Sequence, residues 1–111
     1  MSHARPTIAR IWRGRTTRER ADEYARYLYE AGVRKLEESA LAVMQLREDR
    51  ATETEFITIS YWESIEAMSR YAGDDPRKIH HLPRDPEFLI ELPHGVQVLE
   101  ITSAKGVFAG C

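Results

Sequence analysis

Residues 55–62 (EFITISYW) constrain the fold more than any other part of the chain. Ile57, Ile59 and Tyr61 fall on one side of an extended backbone, and Phe56, Thr58, Ser60 and Trp62 on the other. A period of two is the mark of a β-strand. The strand runs almost directly into a helix. Ser64 is placed to cap it, Glu66 lies near its positive end, and Gly73 stops it. Ile65, Met68 and Ala72 form the expected inward stripe. Asp75-Pro76 then opens a turn towards the adjacent His80 and His81, and Pro83 and Pro86 punctuate the loop beyond.

The rest of the chain repeats the pattern. Residues 7–13 (TIARIWR) read as a first strand with Ile8, Arg10 and Trp12 on one face. Thr16-Thr17-Arg18-Glu19 has the form of a capping box, with a helix expected from about Thr17. Its stripe is Ala21, Tyr24, Ala25, Leu28 and Ala31. Gly32 is expected to stop or kink it, with one further turn over residues 33–37. Residues 41–47 (LAVMQLR) and 96–102 (VQVLEIT) read as the second and last strands. Residues 48–54 lack an Asn-Gly signature, so the hairpin loop is expected to exceed two residues. Residues 88–92 are open to either a short helix or an extended piece. The order is βαββαβ, a ferredoxin-like α+β fold with a four-stranded antiparallel sheet. One domain over residues 1–111 is expected, its core at about 7–102 and a loosely held tail at 103–111.

Composition narrows the function classes. The 111 residues carry a formal net charge of -2, so the whole chain does not read as a nucleic-acid binder. Residues 1–35 hold nine Arg/Lys and four Asp/Glu, a balance of +5, which leaves -7 for the remainder. The plain reading is a solvated basic helix; the sharper one is a field drawing in an anionic substrate. No apolar run reaches the ~20 residues of a membrane span. The first ten residues lack the apolar core of a signal peptide. Cys111 is the single cysteine, which excludes an internal disulfide and fits a reducing, cytoplasmic setting. No G-x-G-x-x-G, P-loop or nucleophile-elbow pattern occurs.

Two helices cover one face of such a sheet, and the other face of a monomer should be polar. Here both faces are apolar. Leu41 and Val43 oppose Ala42, Met44 and Leu46 on the second strand, and Ile11 opposes Ile8 and Trp12 on the first. A second copy of the chain is the expected cover, giving a homodimer. The uncovered face is read as the one bearing Arg10, Trp12, Phe56, Thr58, Ser60 and Trp62, a mixture of polar and apolar groups that suits a small-molecule pocket. The plainer alternative is that Thr58 and Ser60 satisfy backbone groups and Trp12 fills the interface.

The chemical candidates are few. His80 or His81 can move protons near neutral pH; being adjacent, one is expected to face the pocket and the other solvent. Two exposed loop histidines are the alternative. Arg10 can hold an oxyanion, and Trp12, Trp62 and Tyr71 can sandwich an aromatic ring. Asp74, Asp75 and Asp85 are assigned to turns and caps. No metal spacing accompanies the histidines. His94, in the turn-like LPHG, reads as a loop residue, and Met44 and Met68 as core filler.

Taken together, IARIWRG, ISYWESIEAMSRYAG and DDPRKIHHLPRDPEFL resemble the antibiotic-biosynthesis-monooxygenase superfamily of dimeric α+β barrel proteins, over about residues 7–102. The resemblance implies a homodimer with one pocket per subunit, under the helices or between the sheets. It implies a cofactor-independent monooxygenase acting with dioxygen on an aromatic or polyketide-like small molecule. The same scaffold also serves non-catalytic binding or stress-response proteins, isomerases or cyclases, and haem-degrading enzymes. The haem branch uses an asparagine on the first strand, a tryptophan on the second helix and a histidine about ten positions on. Tyr71 and His81 stand at the latter two positions, and the first strand has no asparagine.

Overall fold

The computed structural model describes residues 5–73, 75 and 77–106. Strand β1 (Ile8–Thr17) is followed by a 3-10 turn at Arg18–Arg20 and helix α1 (Ala21–Leu28). A π-helical turn at Tyr29–Val33 leads into α2 (Arg34–Ser39). Then come β2 (Ala42–Asp49), β3 (Glu53–Trp62), α3 (Ile65–Ala72), the one-turn α4 (Asp85–Phe88) and β4 (Gln97–Glu100). The sheet order is β2-β3-β1-β4, antiparallel throughout. This is the expected ferredoxin-like arrangement.

The punctuation around α3 forms as read. The Ser64 Oγ accepts the Ala67 N–H at 3.1 Å, and Gly73 closes the helix at φ 89°, which a side chain would resist. Met68 and Ala72 are buried. Ile65 is 40% exposed and does not join the inward stripe, because it opens the helix ahead of the turn that packs on the sheet.

Other local expectations give way to tertiary pairing. Thr16 and Thr17 remain in β1, opposite Thr54 and Glu53. The buried Thr16 hydroxyl donates to the Thr17 carbonyl, and no side chain caps the following helix. The capping box is therefore not formed: extending the ladder satisfies more backbone groups than the cap would. Gly32 does not stop the helical run but lies in its π-helical turn, Tyr29–Val33. Val33 and Leu36 are buried beyond it, and their burial carries the run to Ser39. The hairpin between β2 and β3 turns through residues 50–52, three residues as against the two of a tight turn. The last strand is shorter than expected. Of the expected tail, residues 107–111, with Cys111, lie outside the described residues, as do Asp74 and Pro76.

The face assignment is reversed. Arg10, Trp12, Phe56, Thr58, Ser60 and Trp62 do share one face, since Trp12 pairs with Thr58 and Arg10 with Ser60 across the ladder. That face is the helix-covered one. Phe56 packs with Ala21, Tyr24, Leu28 and Phe88 in one cluster, and Trp62 with Leu36, Met68 and Ala72 in another. The large aromatics of this face complete the two helical cores, whereas no helix of this chain covers the apolar residues of the other. On that open face Ile11, Met44, Ile57, Ile59 and Tyr61 are half-buried, and Leu46 and Leu99 are exposed. Among the described residues no helix is long and apolar enough to cross a membrane.

Candidate functional site

The two cores do not meet completely over the sheet. A cavity of about 100 Å³ remains between them, open to solvent, enough for a small molecule rather than a single water. Its floor is Arg10 and Trp12 of β1 and Thr58 of β3. Leu28, Gly32, Val33 and Leu36 form one wall, and Tyr71 of α3 contributes to another. Ile79, His80 and Leu82, from the irregular segment after α3, close over it with Asp85 and Val96. The π turn matters to this wall. A Cβ on Gly32 would stand 3.3 Å from Leu82 Cδ1, so the glycine lets the closing segment lie against the helix.

Arg10 donates from its guanidinium to the Lys78 carbonyl at 3.2 Å, tying the floor to the closing segment. Burial lowers its pKa from the usual arginine value, opposed by the nearby Tyr71. Burial in turn raises Tyr71, and Arg10 opposes that rise. The cation is thus held in a partly dry setting, where its attraction for an anionic oxygen is stronger than in water.

His80 is the histidine on the cavity. Its Nε2 lies 3.2 Å from the Ala72 carbonyl. A carbonyl only accepts, so Nε2 is the donor in this contact, and in the neutral ring Nδ1 is then the acceptor. Both histidines are exposed to solvent; His80 lines the cavity and His81 does not.

Of the residues read from the sequence, Arg10, Trp12, Thr58, Tyr71 and His80 come together here. Ser60 and Trp62 do not. The Trp62 indole N–H donates to Ser60 Oγ at 2.9 Å, and both side chains are buried in the second core. Trp62 still backs the site, its ring 5.5 Å from that of Tyr71. The Thr58 hydroxyl donates to Gln45 Oε1.

Asp85 is the residue that the sequence reading passed over. It is 1% exposed and lines the cavity. The Tyr24 hydroxyl donates to one carboxylate oxygen at 3.0 Å, and the Leu82 N–H to the other at 3.0 Å. Burial raises its pKa from the usual carboxyl value. The two donors and the charge of His81 oppose that rise. Tyr24 is raised in turn, by burial first and then by Asp85. Residues around Asp85 lock α4 in place. The Arg84 N–H donates to the Tyr27 hydroxyl at 2.8 Å, and the Arg20 guanidinium lies 4.2 Å from the centre of the Phe88 ring. An Asp-Pro pair at a helix start reads as a cap, and the partner that buries this one is 61 residues away. The available signal was Tyr24 itself, whose hydroxyl needs a partner if the ring lies on a buried stripe.

The residues that the haem branch would use do not come together at this site. The histidine at the ligand position, His81, lies outside it, and Tyr71 lies against Trp62 with 41% of its surface exposed. Among the described residues no group of three or more His, Cys, Asp or Glu could hold a metal ion.

No protein-family model matches the chain, and no curated protein matches it. Among solved structures it is similar to a protein from Bacillus cereus described as a "putative antibiotic biosynthesis monooxygenase". The identity is 16% and the TM-score 0.64, over 91% of this chain and 98% of that one. At that identity the likeness is one of fold. The chain has the antibiotic-biosynthesis-monooxygenase-like α+β fold that its strand and helix segments resemble.

Proposed function

We propose that the chain is a monooxygenase-like enzyme that uses dioxygen on a small aromatic or polyketide-like molecule without a bound cofactor. The observation that carries this reading is the convergence of Arg10 and His80 on one cavity walled by Trp12, Tyr71 and aliphatic side chains. The fold likeness is consistent with it and does not supply the chemistry.

The reaction needs a base, an oxyanion partner and a dry site. His80 Nδ1 accepts a proton from a phenolic O–H or an activated C–H. Arg10 holds the anion that results. The electron-rich anion then reduces dioxygen directly. For a ring methylene, one methylene and one dioxygen give one carbonyl and one water. Both methylene hydrogens leave in that water with one oxygen atom, the other oxygen enters the product, and the substrate supplies all the electrons. The open face of the sheet belongs to a second copy of the chain, related by a two-fold axis. Its apolar centre is bordered by Arg13, Glu48 and Glu55. A cytoplasmic setting goes with the lone cysteine.

The test is oxygen uptake by the purified protein with a panel of one- to three-ring phenols and anthrones, with no cofactor added. The expected result is consumption of one dioxygen per product, with one labelled atom retained when the dioxygen carries oxygen-18. Replacing His80 by Ala or Arg10 by Gln should lower the rate by about 100-fold or more, the usual contribution of such groups. Turnover that persists without dioxygen, or no uptake across the panel, would overturn the reading.

A further inference from the structure

The cavity wall holds a carboxylate that the reaction above does not use. Tyr24 and Leu82 each donate to one oxygen of Asp85. A carboxylate offers about four acceptor positions, so two donors do not exhaust it. A carboxylate has no donor of its own and is costly to bury. A further hydrogen bond from a ligand would offset part of that cost. Across the same cavity Arg10 is a donor only, and its guanidinium, which reaches the Lys78 carbonyl, carries the positive charge that suits an acceptor oxygen. Apart from His80 and Tyr71 the remaining wall is apolar, and Thr58 is engaged by Gln45. The complement of such a wall is a small ring with a hydrogen-bond donor at one position and an acceptor oxygen at another.

The geometry points to Asp85 as a substrate-docking carboxylate, selecting single-ring aromatic molecules whose hydroxyl donates to it while a second oxygen meets Arg10. This rests on the reading of the cavity as a small-molecule site, but not on any oxidation there. A purely structural Asp85, holding α4 against Tyr24, is the competing role.

The experiment is calorimetric binding of three probes under nitrogen: 4-hydroxyacetophenone, which has both groups, acetophenone, which lacks the donor, and 4-methoxyacetophenone, in which it is blocked. The hydroxyl probe should bind about tenfold or more tighter than either of the others, the worth of a hydrogen bond to a charged group. In Asp85→Asn that ratio should fall to about threefold or less, since the acceptor is then neutral. A structural role would weaken all three probes alike and leave the ratio unchanged. Tyr24→Phe guards against a misfolded Asp85 variant. It removes one donor from the carboxylate and keeps the carboxylate, so the hydroxyl preference should persist. Equal affinities in the wild type, no binding by any probe, an unchanged ratio in Asp85→Asn, or loss of the preference in Tyr24→Phe would each overturn the assignment. Oxygen uptake is measured separately, so a failure of the monooxygenase reading leaves this ratio standing and is told apart from it.

Discussion

On the helix-covered face of β3, Phe56, Thr58, Ser60 and Trp62 are no more than 5% exposed. One residue along on the same strand, Ile57, Ile59 and Tyr61 are only half-buried. Both faces are apolar, yet they differ in kind. The covered face mixes large aromatics with Arg10, Thr58 and Ser60, and leaves a cavity where its two cores fail to meet. The open face carries Ile11, Met44, Ile57, Ile59 and Tyr61 at its centre, and its recess, lined by Arg13, Arg15 and Glu55 with the segment before β4, lies at its charged end. Apolar content alone therefore does not locate a site. A site needs polar groups fixed by neighbours, and here the helices and the segment closing over them do the fixing.

A charge on the open face separates the two faces most strongly. Ile59→Asp should abolish self-association, read by sedimentation at micromolar concentration, while the cavity on the opposite face keeps its ligand binding. Loss of binding with unchanged association would reverse the roles of the two faces. On the covered face, Met68 is fully buried in the second core. Met68→Ala should cost about 2–5 kcal/mol in urea unfolding, the range for a large-to-small change in a packed core. A cost well under 1 kcal/mol would mean that α3 is not packed on the sheet as described. Ser64→Ala removes the α3 cap and should cost about 1 kcal/mol, with Ser64→Asp restoring most of it.

The smallest effect is visible only as a pH dependence. Asp85 has its folded pKa raised above the ordinary carboxyl value. The folded state then retains a proton that the unfolded state has lost. This contribution to stability is complete below the unfolded pKa, about 3.9, and is lost as pH rises through the folded value. Asp85→Asn removes it. The stability of the variant relative to wild type should therefore improve from acid to neutral pH. A relative stability that worsens over that range would reverse the sign of the shift.

The outline of the fold was legible because β3 alternates cleanly and α3 is bracketed by Ser64 and Gly73. The grouping of Arg10, Trp12 and Thr58 on one face was legible too, since strand parity fixes it. The side on which the helices sit was not, because Ile8, Trp12, Phe56 and Trp62 are matched by Ile11, Ile57, Ile59 and Tyr61. Only packing chooses between them. The capping box at Thr16 was a sound local signal, overridden by pairing with Thr54. Asp85 was read as a cap because its meaning lies in Tyr24, far away in sequence. His80 and His81 were indistinguishable until the Ala72 carbonyl fixed one of them.

The central claim is that small molecules bind between the helices and the sheet. The direct test is nuclear magnetic resonance of the labelled protein titrated with 4-hydroxyacetophenone. The signals of Trp12, Gly32, His80 and Leu82 should move together while those of Ile57, Ile59 and Leu99 stay still. Movement of the open-face signals with the cavity silent would contradict it.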